Sequence, residues 1–177
     1  MKFNEKTFTF NFSTPTVDLK ASNLTKKDIL TFPLLNHVHT IDLSYNSIDS
    51  SFDLGVLYDK LPKLRTLLLE NNKFNKTWKI KIEGAGGNIF KDTKYIVLEK
   101  LSLNNNQLQR VFIETELPLL KVLDLSANHL KELKGLSNIR QLITLNLSNN
   151  QLEELPNDLT LLQSLVELNI SFNCLQK

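Results

Sequence analysis

The chain has 177 residues, 41% of them hydrophobic and 23% charged, with a net charge of +2. That length suits one domain, and the ordinary composition excludes collagen-like, wholly disordered and disulfide-scaffold proteins. The small charge excludes a strongly basic nucleic-acid binder, and no stretch approaches the roughly 18 to 20 uninterrupted apolar residues of a membrane span.

At the N-terminus Phe8, Phe10 and Phe12 alternate with Thr7, Thr9 and Asn11. This period of two predicts a strand whose rings cap the first layer of the fold. The segment lacks the continuous apolar run of a secretory signal, and the single cysteine, Cys174, has no partner for an internal disulfide. Both features predict a cytoplasmic protein in a reducing compartment. Thr25 with Asp28 three residues on predicts a short helix carrying Ile29 and Leu30 and ending near Pro33.

The composition holds 36 Leu and 20 Asn, a bias that points to internal repeats. Six segments share the pattern apolar-x-x-apolar-x-apolar-x-x-Asn-x-apolar. They begin at Val38 (VHTIDLSYNSI), Leu64 (LRTLLLENNKF), Leu98 (LEKLSLNNNQL), Leu120 (LKVLDLSANHL), Leu142 (LITLNLSNNQL) and Leu165 (LVELNISFNCL). A degenerate copy precedes them at Thr14, with Ser22 at the Asn position. The x-apolar-x-apolar centre predicts a short strand with one face buried. Asn46, Asn72, Asn106, Asn128, Asn150 and Asn173 fall where the chain bends after that strand, and an amide there can donate to and accept from the unpaired backbone of the bend. Apolar residues three or four apart come next, as in Leu108, Val111 and Leu117 or Leu130, Leu133, Leu136 and Ile139, a spacing that predicts helical turns on the outer side.

This pattern resembles the leucine-rich-repeat family over residues 14–177. Successive starts lie 24, 26, 34, 22, 22 and 23 residues apart. The 22-residue copies resemble the Sds22-like and dynein light chain 1 type, and the copy with L-x-x-L-P resembles intracellular Ras-pathway scaffolds. The resemblance implies an α/β solenoid: a curved right-handed coil with a parallel sheet on the concave face and short helices or helical turns on the convex face. The expected organisation is one solenoid over 1–177, with a cap and degenerate repeat in 1–37 and six repeats in 38–177. It also implies a cytosolic, nuclear or ciliary protein without catalysis.

The 34-residue copy carries an insertion within about 75–97, where Trp78, Ile80 and Ile82 alternate before Gly84, Ala85, Gly86 and Gly87. That reads as a hairpin. Trp78 beside Lys76 and Lys79 is a secondary candidate for partner contact, against packing on the solenoid edge. At the other end no capping helix covers Leu168, Ile170 and Leu175, which predicts either a longer protein or a second chain over that end.

The resemblance places ligand contacts on the solvated residues of the inner sheet. The candidates are Tyr45, Arg65, Leu68, Lys100, Val122, Asp124, Ile143, Asn146, Val166, Asn169 and Phe172. Aliphatic and aromatic residues among polar ones are what an interface centre with a polar rim needs. The expected function is therefore a non-catalytic scaffold or regulatory subunit binding a protein partner. Two alternatives are a ribonucleoprotein or nucleic-acid factor using the Lys/Trp insertion, and the recognition part of a larger enzyme or effector. His37, His39, His129 and Cys174 complete no metal-ligand spacing, and no nucleophile elbow or phosphate loop occurs, so no cofactor or metal is expected.

Overall fold

Each repeat commits three residues to a strand: β1 (Thr16–Asp18), β2 (Thr40–Asp42) and β3 (Thr66–Leu68), then β5 (Lys100–Ser102), β7 (Val122–Asp124), β9 (Thr144–Asn146) and β10 (Glu167–Asn169). The computed structural model describes residues 10, 13–82 and 96–176. Among these residues the seven strands form one parallel sheet in chain order. The register is regular, Val17 beside Ile41, Ile41 beside Leu67, Leu67 beside Leu101, and so on to Leu145 beside Leu168. Parallel neighbours need a crossover of a dozen or more residues, and the remainder of each coil supplies it.

The central apolar residue of each strand and the one after it point into a shared core, in which Ile41, Leu43, Leu67, Leu69, Leu101, Leu103, Leu123, Leu125, Leu145 and Leu147 are fully buried. A lone coil would leave this face in water, so stability comes from stacking. Behind each strand a ladder of amides closes the bend. Asn72 donates from Nδ2 to the carbonyls of Leu43 in the previous coil (2.9 Å) and Leu69 in its own (3.2 Å), while its Oδ1 accepts from the Ile48 amide at 3.0 Å. Asn46, Asn106, Asn128, Asn150 and Asn173 repeat the arrangement, each reaching a carbonyl of the preceding coil at 2.8–3.0 Å. Replacing one of them would strand several buried backbone groups at once.

The outer side departs from expectation. Leu108 and Val111 do not lie on a helical turn but in strand β6 (Gln107–Ile113), and Leu133 lies in β8 (Glu132–Lys134). With β4 (Asn75–Ile80) they form a second parallel sheet in the order β4-β6-β8. The predicted hairpin is corrected in its first limb: residues 75–80 pair in parallel with residues 107–113 of the next coil. Gly84, Ala85, Gly86 and Gly87 lie outside the described residues. Helical structure on this side is confined, among the described residues, to α1 (Lys26–Ile29), α2 (Leu54–Tyr58) and 3-10 turns at Leu136–Asn138 and Leu159–Leu161.

Helix α1 begins at the Thr25/Asp28 capping box, in which Asp28 Oδ2 accepts from the Thr25 amide at 2.7 Å. Asp53 caps α2 by accepting from the Gly55 amide at 2.7 Å. Tyr58, buried in α2, donates its hydroxyl to Leu64 O at 3.0 Å, and burial pushes that hydroxyl's pKa well above its usual value. At the N-terminal end Phe10 meets the edge of Phe32 at 5.3 Å. Phe8 and Phe12 lie outside the described residues.

Candidate functional site

The solvent side of the seven-stranded sheet presents one side chain per coil in each column. The central column is Asp18, Asp42, Leu68, Ser102, Asp124, Asn146 and Asn169. Most of it has a structural task. Asp42, Asp124, Asn146 and Asn169 each accept at Oδ1 from the backbone amide two residues on, at 2.8–3.1 Å. In the last three the hydroxyls of Ser126, Ser148 and Ser171 donate to the same oxygen at 2.6–2.8 Å. These Asx turns fix the exit from the strand, so for the candidates Asp124, Asn146 and Asn169 one oxygen is already committed. The recurring Asp/Asn-x-Ser of LDLS, LNLS and LNIS is the signal that announces it.

Two coils escape this pattern. Leu68 has no polar group to offer, and Ser102 donates to Glu70 Oε1 at 2.9 Å instead. Beside them Asn104 donates to Ser126 Oγ at 2.7 Å. Leu68 is thus a half-buried apolar side chain in the middle of a polar column, flanked in register by Asp42 and Ser102. Half-buried Glu70 and Asn104 surround it, the column pattern alone does not single them out, and Ser102, though a member of the column, is buried at 1% exposure.

On the rim where the strands begin, Arg65 pairs with Glu99. Lys100 and Lys121 are exposed, Val122 is half-buried, and Ile143 and Val166 are 38% and 79% exposed. On the opposite rim Tyr45, Asn71, Asn105, Ala127, Asn149 and Phe172 all hold left-handed backbone with φ of 51–58°. Asn is tolerated there, whereas a large aromatic residue is strained. Tyr45 and Phe172 are nonetheless the aromatic members of the row, 52% and 79% exposed. Lys20 Nζ stands 4.9 Å from the Tyr45 ring centre.

The secondary candidate divides. Trp78 is not a surface residue: it is 1% exposed, its ring meets Phe74 at 4.9 Å, and its indole N–H donates to Phe52 O at 2.9 Å. The alternation of Trp78 and Ile80 reflects the buried side of β4. Lys76 and Lys79 are exposed on the other side, with Lys79 bound to Glu114 at 2.6 Å. The aromatic residue that does face outward is half-buried Phe112, its ring 5.8 Å from Lys134 Nζ.

Among the described residues no three His, Cys, Asp or Glu side chains gather as a metal site would require, and no helix is long and apolar enough to cross a membrane.

The family model for the leucine-rich repeat matches residues 141–162. No curated protein matches the chain. Among solved structures, a leucine-rich-repeat protein of Leptospira interrogans is similar at 27% identity with a TM-score of 0.61, the match covering 82% of this chain and 33% of that one. An internalin of Listeria monocytogenes is similar at 17% identity with a TM-score of 0.43, over 87% of this chain and 52% of its own. The chain thus spans a third to about half the length of these proteins.

Proposed function

Because the chain is a leucine-rich-repeat protein, built on a fold that generally mediates protein–protein interaction, we propose that it is a non-catalytic binding module. In this reading the open face of the seven-stranded sheet engages a protein partner, and the chain acts as a scaffold or regulatory subunit. The observation that carries it is the set Leu68, Val122, Ile143 and Val166, apolar side chains standing toward solvent among Thr, Asp, Asn and Lys. A buried interface centre within a polar rim has this composition. An exposed, unpaired Cys174 supports an intracellular setting, and the 22- and 23-residue spacings support the Sds22-like and Ras-scaffold types.

The test is affinity capture from the native lysate with wild type and with Leu68→Glu/Ile143→Glu. Ile143 is exposed and Leu68 half-buried, and circular dichroism checks that the variant keeps its fold. The expected result is loss of the captured protein, at least about 2 kcal/mol in binding. Retention of the full captured set by the folded variant rules out this face.

A further inference from the structure

The rim on which the strands begin separates its apolar from its charged residues. Coil by coil, the Ile143 amide donates to Lys121 O at 2.8 Å and the Val166 amide to Ile143 O at 2.9 Å, so Lys121, Ile143 and Val166 stand side by side. Val122 adjoins them, and its register partner is Lys100. The result is an apolar strip of Val122, Ile143 and Val166 with two ammonium groups at one end.

Other charges on this rim are engaged. Arg65 holds Glu99. Glu167 Oε2 accepts from Thr144 Oγ1 at 3.2 Å, and in the neighbouring central column Asp124 Oδ1 takes the Ser126 amide and hydroxyl. Lys100 and Lys121 have neither an ion pair nor a side-chain hydrogen bond here, among the described residues. Glu167 follows Val166 on the same strand, in register with Thr144, and so repels an acidic group from that end of the strip.

We propose that this rim takes an extended segment of the partner lying across the strands, with an Asp or Glu on Lys100 and Lys121 and an aliphatic or aromatic side chain on Ile143 and Val166. The proposal rests on the open-face reading and adds the chemistry and direction of its ligand. Two strand spacings separate Lys121 from Val166, about 10 Å. An extended peptide covers that distance in about three residues, which sets the separation of its acidic and apolar positions.

The probe is a displayed library of random dodecapeptides, selected on the wild-type chain and then titrated against Lys100→Glu/Lys121→Glu and Ile143→Glu. The selected pool is expected to carry Asp or Glu about three residues from Leu, Ile, Val, Phe or Tyr. It should bind the charge-reversed variant at least about tenfold more weakly and lose affinity for Ile143→Glu. Fresh selection on the charge-reversed variant should bring Lys or Arg to the acidic position. Thermal melts check that each variant folds, and Lys100→Gln/Lys121→Gln decides the matter should charge reversal disturb the fold.

A pool that needs Ile143 but shows no acidic preference, or binds the lysine variants unchanged, overturns this inference and leaves the open-face reading standing. A pool indifferent to every substitution, Leu68→Glu included, overturns both. Failure of any peptide to enrich overturns the inference, since a site for one extended segment must select one.

Discussion

Tyr45 and Phe172 hold backbone with φ of 58° and 54°, a conformation that costs an L-residue with a large side chain about 1–2 kcal/mol. The same place is filled by Asn71, Asn105, Ala127 and Asn149 in other coils. Side-chain amides sit there more easily because they can bond to their own neighbouring backbone, and Asn105 also donates across coils to Asn71. Tyr45→Asn and Phe172→Asn should therefore each stabilise the fold, by about 0.5–1 kcal/mol in denaturant titration. The gain at Tyr45 should be the smaller, since the substitution also removes the cation–π contact with Lys20. A neutral or destabilising result would show that the exposed rings are held by contacts within the fold. If the aromatic pair belongs to the binding face, the same substitutions weaken partner capture as they raise stability.

At the level of elements, the second sheet depends on close approach between coils. Gly135 leaves β8 with φ of 88°, and a Cβ there would lie 2.2 Å from Ile113 O. That oxygen also accepts from Asn138 Nδ2 at 2.6 Å, so it cannot retreat without losing a bond. Gly135→Ala should cost at least about 2 kcal/mol, read as a fall in the unfolding midpoint. An unchanged midpoint would mean that β6 and β8 can separate freely. The sequence pattern hides the second sheet because apolar residues three apart, such as Leu108 and Val111 or Leu130 and Leu133, fit a helical turn as well as a strand carrying a bulge. β6 has such an irregularity, where the register shifts between Lys76 and Thr77 of its partner. The β-branched and aromatic run Val111, Phe112 and Ile113 is the local signal that favours a strand.

For the whole molecule, a residue's weight depends on how many coils cover it. Leu123 is fully buried between neighbours, whereas Leu168, its counterpart in the last described coil, is 39% exposed. Leu123→Ala should cost about 3 kcal/mol and Leu168→Ala less than half as much, measured as matched shifts in urea midpoint. Equal costs would contradict nearest-neighbour stacking. The recurring Leu and Asn positions are sufficient, by themselves, to establish the coil, its parallel sheet and the columns facing solvent, because each is a local requirement repeated in every copy. Only the tertiary structure decided that Trp78 is buried, that Asp124, Asn146 and Asn169 serve their own turns, and that Lys100 and Lys121 lack ion-pair partners among the described residues. Those properties depend on which side chain of an adjacent coil comes within bonding distance, and a repeat pattern does not contain that distance.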